Sequence, residues 1–187
     1  MRFDLDTLVD GELRLRRATP EDVPAILRIC QDPEIQRWTR VPSPYLEHHA
    51  RSFASLSSRA GVEEGTGAHL LAVDTATDVV LGAVGLSLDL ADLAGEVGYW
   101  VAPEARGRGV ATRGTRLVCR LGLERLQLGY IGLEAAADNA ASNAVARRLG
   151  FTLEGTRRAA MIAGPAGDPA APRCDSNVWG LRPGELR

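Results

Sequence analysis

Apolar and polar residues alternate along 12–18 (ELRLRRA) with the period of a strand that buries one face. Thr19-Pro20-Glu21-Asp22 then reads as a helix start, with Thr as N-cap, Pro at the first helical position and acids in the first turn. Val23, Ile26, Leu27 and Cys30 repeat at helical spacing, which predicts a first helix to about Gln31. After the punctuation at Pro42 and Pro44 a second helical stretch covers about 45–60 and ends at Gly61, and 61–67 (GVEEGTG) reads as a flexible connection.

Three β-rich runs follow. AHLLAVD (68–74) and VVLGAVGLSL (79–88) flank a short polar turn from Thr75 to Asp78, and GEVGYWVA (95–102) comes after a loop at 89–94. Beyond Pro103 the period changes to 3.6, with Val110, Leu117, Val118, Leu121 and Leu123 on a helix to about 125. A strand at 130–136, a helix at 141–149, a strand at 151–162 and a last strand at 174–181 complete the pattern, with the Gly/Pro/Ala-rich loop 163–172 before the last one. The expectation is one mixed α/β (α+β) domain over 1–187, with its core at about 12–181, about seven strands and four helices.

Composition narrows the chemistry. All 22 basic residues are arginines, so a Schiff-base lysine and the lysine of a Walker phosphate loop are both absent. The formal charge of −2 and the 5% aromatic content argue against nucleic acid as a partner. The N-terminus never runs seven apolar residues without a charge, and no stretch approaches the ~18 of a membrane span, so neither a signal peptide nor a membrane partner is expected. Cys30, Cys119 and Cys174 are odd in number and far apart, which fits reduced thiols in the cytoplasm. With three histidines, no CxxC and no HExxH, no metal site is expected.

The chemistry-bearing segment is Pro103 to Thr112 (PEARGRGVAT), between an apolar strand and an amphipathic helix. Gly107 and Gly109 leave its backbone bare, and the first N–H groups of the following helix, at Val110, Ala111 and Thr112, lack intrahelical partners. An anion, above all a phosphate, suits that place, and Arg106 and Arg108 add positive charge. The plain alternative is a glycine-containing turn with two surface arginines. A second element, Asn139-Ala-Ala-Ser142-Asn143, opens a short helix that closes at Leu149-Gly150-Phe151; its Asn and Ser also suit helix caps.

With these two elements in order, the chain resembles the GNAT superfamily of acyl-CoA N-acyltransferases over about 12–181, most of all its ribosomal-protein N-acetyltransferase branch. In that family an R/Q-x-x-G-x-G/A loop cradles the coenzyme A pyrophosphate, which Arg106-x-x-Gly109-x-Ala111 matches, and Asn139-x-x-Ser142…Leu149-Gly150-Phe151 matches the element near the pantetheine. The resemblance implies acetyl-CoA as cosubstrate, bound between splayed strands at 95–102 and 130–136, with a backbone N–H near Val101 donating to the thioester oxygen. It implies cofactor contacts from residues 106–112, Asn139, Ser142 and Asn143. It implies a glutamate base, for which Glu134 and Glu96 both remain candidates, Glu134 facing away from the buried pair Ile131 and Leu133. Several relatives carry a tyrosine acid where this chain has Ala146, which leaves the Ser142 hydroxyl in that role. Trp38, Tyr45 and the loop 163–173 fall where the family builds its acceptor pocket, and relatives often pair as homodimers. The implied activity is transfer of acetyl from acetyl-CoA to a primary amine, a protein N-terminus or a small molecule. A catalytically silent acyl-CoA-binding module shares the phosphate loop, and an RNA-associated factor using Arg14, Arg16, Arg17, Arg147 and Arg148 is disfavoured by charge.

Overall fold

In the computed structural model, which describes residues 8–58, 66–164, 166 and 168–187, the alternation at 12–18 resolves into a strand whose leucines are buried and whose arginines stand on the other face. This is β2 (Leu13–Arg16), and a two-residue strand β1 (Val9–Asp10) pairs with it. The chain continues through α1 (Val23–Ile29), α2 (Pro33–Trp38) and α3 (Glu47–Ser58) to the meander β3 (Gly67–Asp74), β4 (Val80–Asp89) and β5 (Ala94–Val101). Then come α4 (Val110–Arg120), β6 (Tyr130–Ala136), α5 (Ala140–Leu149), β7 (Thr152–Ile162) and β8 (Arg173–Leu181). The described strands form one mixed sheet in the order β1-β2-β3-β4-β5-β6-β8-β7.

Against the expected count of about seven strands and four helices, the described residues form eight and five. The additions are β1 and α2, two and six residues long, too short to show a period in sequence. Thr19 opens a 3₁₀ turn, Pro20–Asp22, and the α-helix proper starts at Val23 with Pro24 in its first turn. The helix end at Gly61 and most of the connection 61–67 lie outside the described residues, as does most of the N-terminal stretch read for a signal. The last strand is interior, between β6 and β7, so the sheet edge on that side is β7.

One buried core joins the sheet to its helices, with Leu13, Leu15, Leu71, Leu86, Val118, Leu121 and Ile131 all but inaccessible. After Arg120 the helix widens into a π-helical turn over Leu121–Arg125, where the Leu126 N–H donates to the Leu121 carbonyl. The feature that positions the site is in the middle of the sheet. β5 and β6 are parallel and pair at three positions only, Ala94–Tyr130, Gly95–Ile131 and Glu96–Gly132. Beyond them β5 stays with its antiparallel partner β4 as far as Val101–Gly82, and β6 stays with β8 as far as Ala136–Ser176. Each strand follows its antiparallel neighbour, and a V opens between them.

Candidate active site

β5 hands the chain to the glycine loop at one side of the V. The Ala102 N–H donates to the Leu81 carbonyl at 2.9 Å, and Pro103–Ala105 makes a 3₁₀ turn. Gly107 and Gly109 then take φ of 75° and 76°, left-handed values that a residue with a Cβ adopts only under strain. Gly109 is the N-cap of α4, so the N–H groups of Val110, Ala111 and Thr112 open onto the space before the helix, at the positive end of its dipole. A Cβ built on Gly107 would meet nothing within 4 Å; the bare backbone faces open space.

The two loop arginines differ. Arg106 does not stand free: its guanidinium donates to Asp32, whose carboxylate also accepts the Ile35 N–H at 3.0 Å and so caps α2. Arg106 therefore fastens the loop to α2. Arg108 is exposed, and its charge helps hold the Asp74 carboxyl below the usual range, after the larger effect of the Thr77 and Ala76 N–H groups and the Thr77 hydroxyl.

Between β5 and β6 runs a cleft of about 1020 Å³, whose lining includes the glycine loop and Trp38, Thr39, Arg40 and Met161. Peptide direction along β5 follows from the Ala102 bond. Successive N–H groups point to opposite sides of a strand, so Val97, Tyr99 and Val101 direct theirs toward the β6 side, where the ladder has stopped. The Val101 N–H therefore points across the V.

The start of α5 forms the facing wall. Asn139 is its N-cap, accepting the Ser142 N–H at 3.0 Å. The Ser142 hydroxyl lies 2.8 Å from the phenolic oxygen of Tyr99. Burial pushes the Tyr99 phenol up to about 12, so it is neutral at any working pH. Tyr99 is the residue that sequence reasoning missed: its place in GYWV marks a strand, and only the fold brings it to α5. Asn143, expected to touch the cofactor, is instead a buried strut. Its amide donates to the carbonyls of Ala136 and Asn139, and its oxygen accepts from Asn177 and Trp179, which leaves no capacity for a ligand.

Glu134 and Glu96 leave the strands on the side away from α5, and both line the cleft. Glu96 is exposed and occupies the last paired position before the strands part. The Glu134 side chain is 17% accessible; its Oε1 accepts from the Ser176 hydroxyl and from Arg157 at 3.2 Å. One carboxylate oxygen, Oε1, is thus anchored by two donors. Trp38 also lines the cleft, its indole N–H donating to Glu34 at 2.8 Å and one face covered by the Arg37 guanidinium at 4.4 Å. Tyr45 does not join it. It is only 5% exposed, packed in the core beside Cys30 and His49 and outside the cleft lining, so its expected place in the acceptor pocket is corrected to the core.

Comparison with known proteins gives a consistent picture. The profile of the acetyltransferase (GNAT) domain family matches residues 12–152. A curated relative from Bacillus subtilis (strain 168), "Putative ribosomal N-acetyltransferase YdaF", is 38% identical over 72 residues, a match spanning 38% of this chain and 39% of that relative. Among solved structures, RimL, the ribosomal L7/L12 α-N-protein acetyltransferase in complex with coenzyme A, superposes with a TM-score of 0.80 at 22% identity, covering 93% of this chain and 96% of that one. The microcin C7 self-immunity acetyltransferase MccE, in complex with acetyl-CoA and AMP, gives 0.76 at 20% identity, covering 92% and 93%. At these identities the two structures share the fold. Among the described residues no helix is long and apolar enough to cross a membrane.

Proposed function

The chain belongs to the acetyltransferase (GNAT) family of acetyl-CoA-dependent N-acetyltransferases, and from that premise we propose that it transfers acetyl to a primary amine by direct attack in a ternary complex. The observation that carries this reading is the V between β5 and β6, with an anion cradle at one end and two carboxylates at the other. A pyrophosphate fits the loop 106–112, where the backbone is bare and the α4 N–H groups converge. The pantetheine arm would follow the cleft past Asn139 and Ser142, and bring the thioester carbonyl to the Val101 N–H.

The acceptor arrives from the Trp38 side. α-Amines titrate near ~8 and lysine near ~10.4, so the incoming amine is largely protonated and needs a base. Glu134 is our choice, because its anchored Oε1 fixes the carboxylate while Oε2 remains for the ammonium or a bridging water. Glu96 is the competing candidate on the same face. The neutral nitrogen attacks the carbonyl carbon, the oxyanion takes the Val101 N–H, the C–S bond breaks, and the Ser142 hydroxyl protonates the thiolate. The likeness to YdaF, named as a ribosomal N-acetyltransferase, supports a ribosomal amine as acceptor; protein N-termini and small-molecule amines are the two classes to be assayed.

A homodimer and a cytoplasmic site of action belong to the same proposal. β7 is an edge strand exposed on both faces along 152–159, a surface that a second copy would cover. Light scattering that returns the mass of one chain would contradict the dimer. For the activity, coenzyme A thiol release is followed over a panel of N-terminal peptides and small amines. Amine-dependent release supports the reading, and tight acetyl-CoA binding without release on any amine makes the chain a silent binding module.

A further inference from the structure

We propose that Tyr99 is a positioning residue for acetyl transfer: its phenolic O–H donates to Ser142 Oγ and so directs the Ser142 O–H toward the departing sulfur. The inference rests on the reading of the cleft as an acetyl-transfer site, and it assigns to β5 a role beyond the Val101 N–H.

The geometry is not local. Tyr99 and Ser142 are 43 positions apart and meet at 2.8 Å because β5 and the start of α5 form opposite walls of one cleft. The Asn139 cap pins the Ser142 backbone and the bond to Tyr99 holds its Oγ, so the remaining freedom is rotation of the O–H. Which way that proton points is decided by the partner. A phenol, with an ordinary pKa near ~10, is a far stronger acid than an alkyl hydroxyl and hence the better donor; the alkyl oxygen is the better acceptor. The favoured arrangement is phenol to serine, with the serine proton released for another acceptor. Both residues line the cleft, so that acceptor is the bound substrate. Burial keeps the phenol protonated and in this role across the working pH range.

Proton accounting closes without consuming Tyr99. When the C–S bond breaks, the thiolate takes the Ser142 proton. The Tyr99 bond stabilises the negative charge left on Oγ, and Ser142 regains a proton from water in the open cleft. The protons shed by the amine leave through the carboxylate to water, and Tyr99 keeps its own throughout.

The test is a double-mutant cycle of Tyr99→Phe and Ser142→Ala, read by kcat for thiol release, by calorimetric affinity for coenzyme A and by Tm. Tyr99→Phe removes only the hydroxyl. It is expected to lower kcat roughly 10-fold, the scale of one hydrogen bond to a developing charge, with coenzyme A affinity kept. In the Ser142→Ala background the same change should cost less than about 2-fold, since the group it orients is gone. In a Ser142→Thr background, which retains a hydroxyl, the sensitivity to Tyr99→Phe should return. Equal losses in all backgrounds, full kcat in Tyr99→Phe, or a parallel loss of coenzyme A affinity would each overturn the proposal. Turnover by the unmodified protein is the control that separates the two readings: its absence fells the transferase assignment and this inference together, whereas turnover with an additive cycle fells the inference alone.

Discussion

Replacing Gly109 by valine separates two things that the glycine loop does, holding a left-handed turn and leaving backbone free for an anion. Gly109 has φ 76°, and the nearest atom to a Cβ built there is Arg113 Cδ at 3.6 Å, an ordinary contact. The folded protein therefore has room for a Cβ, and the expected cost to stability is backbone strain, about 1–3 kcal/mol for a β-branched residue held in this region. For a chain of this length each kcal/mol lowers Tm by roughly 2–4 °C. Binding should suffer far more. If the branched side chain keeps a pyrophosphate from two N–H groups at the start of α4, charge-assisted bonds of about 1.5–3 kcal/mol each are lost, or roughly 10²–10⁴ in affinity. Gly184 supplies the control: its φ is 88°, a Cβ there meets nothing within 4 Å, and it lies off the cleft lining. Gly184→Val should lower Tm by a similar amount with coenzyme A affinity unchanged. Isothermal titration with coenzyme A, run beside thermal unfolding of both variants, reads the two effects separately. Undiminished affinity in Gly109→Val would refute the placement of the pyrophosphate.

Glu134→Gln should depress turnover by about 10²–10⁴-fold with acetyl-CoA affinity kept, and the deficit should shrink at alkaline pH, where the amine deprotonates unaided; if Glu96→Gln alone shows this behaviour, the base is Glu96. Asn143→Ala should destabilise the fold by on the order of 3 kcal/mol, because it strands the buried Trp179 indole N–H and removes the Asn177 bond and the amide bonds to the Ala136 and Asn139 carbonyls, which keep only their backbone donors; urea unfolding measures this, and unchanged stability with lost coenzyme A affinity would make Asn143 a ligand group after all. Asp22 is buried, which pushes its carboxyl up, but the Arg16 guanidinium and the Thr19 N–H outweigh this and hold it below the usual range. A depressed folded value means that its stabilisation is complete above the unfolded value of about 3.9 and is lost as pH falls through the lower folded one. Thermal melts in that acid window should therefore fall more steeply for the unmodified protein than for Asp22→Asn, and parallel curves would contradict the assignment.

Periodicity made most of the fold legible, because most of the longer strands carry alternation or an apolar run, the largely exposed β7 being the exception. The loop 103–112 and the Asn139–Ser142 cap were equally readable, since glycine and cap positions have local geometric causes. What escaped has non-local causes. α2 is a six-residue helix held by the Asp32 cap and by Arg106 reaching across from the glycine loop, 74 positions away. The Tyr99–Ser142 pair and the Ser176 and Arg157 bonds to Glu134 depend on which strands neighbour which, and no spacing in the chain reveals that. Asn143 shows the converse error. A residue inside a functional motif reads as functional, yet its side-chain hydrogen bonds tie α5 to β8 and to the turn after β6. Tyr45 went astray for a related reason, since an aromatic beside a proline-rich stretch looks alike in sequence whether it lines a cleft or fills the core.

The central claim is that the V between β5 and β6 carries an acetyl group from acetyl-CoA to an amine. Its most direct test is mass spectrometry of cell-extract proteins and metabolites after incubation of the purified protein with isotopically labelled acetyl-CoA, beside an identical reaction with Gly109→Val. The account predicts labelled acetyl on the nitrogen of a discrete set of primary amines, present with the unmodified protein and absent with the variant. Labelling that is identical in the two reactions, or no labelled amine from a protein that binds acetyl-CoA tightly, would contradict it.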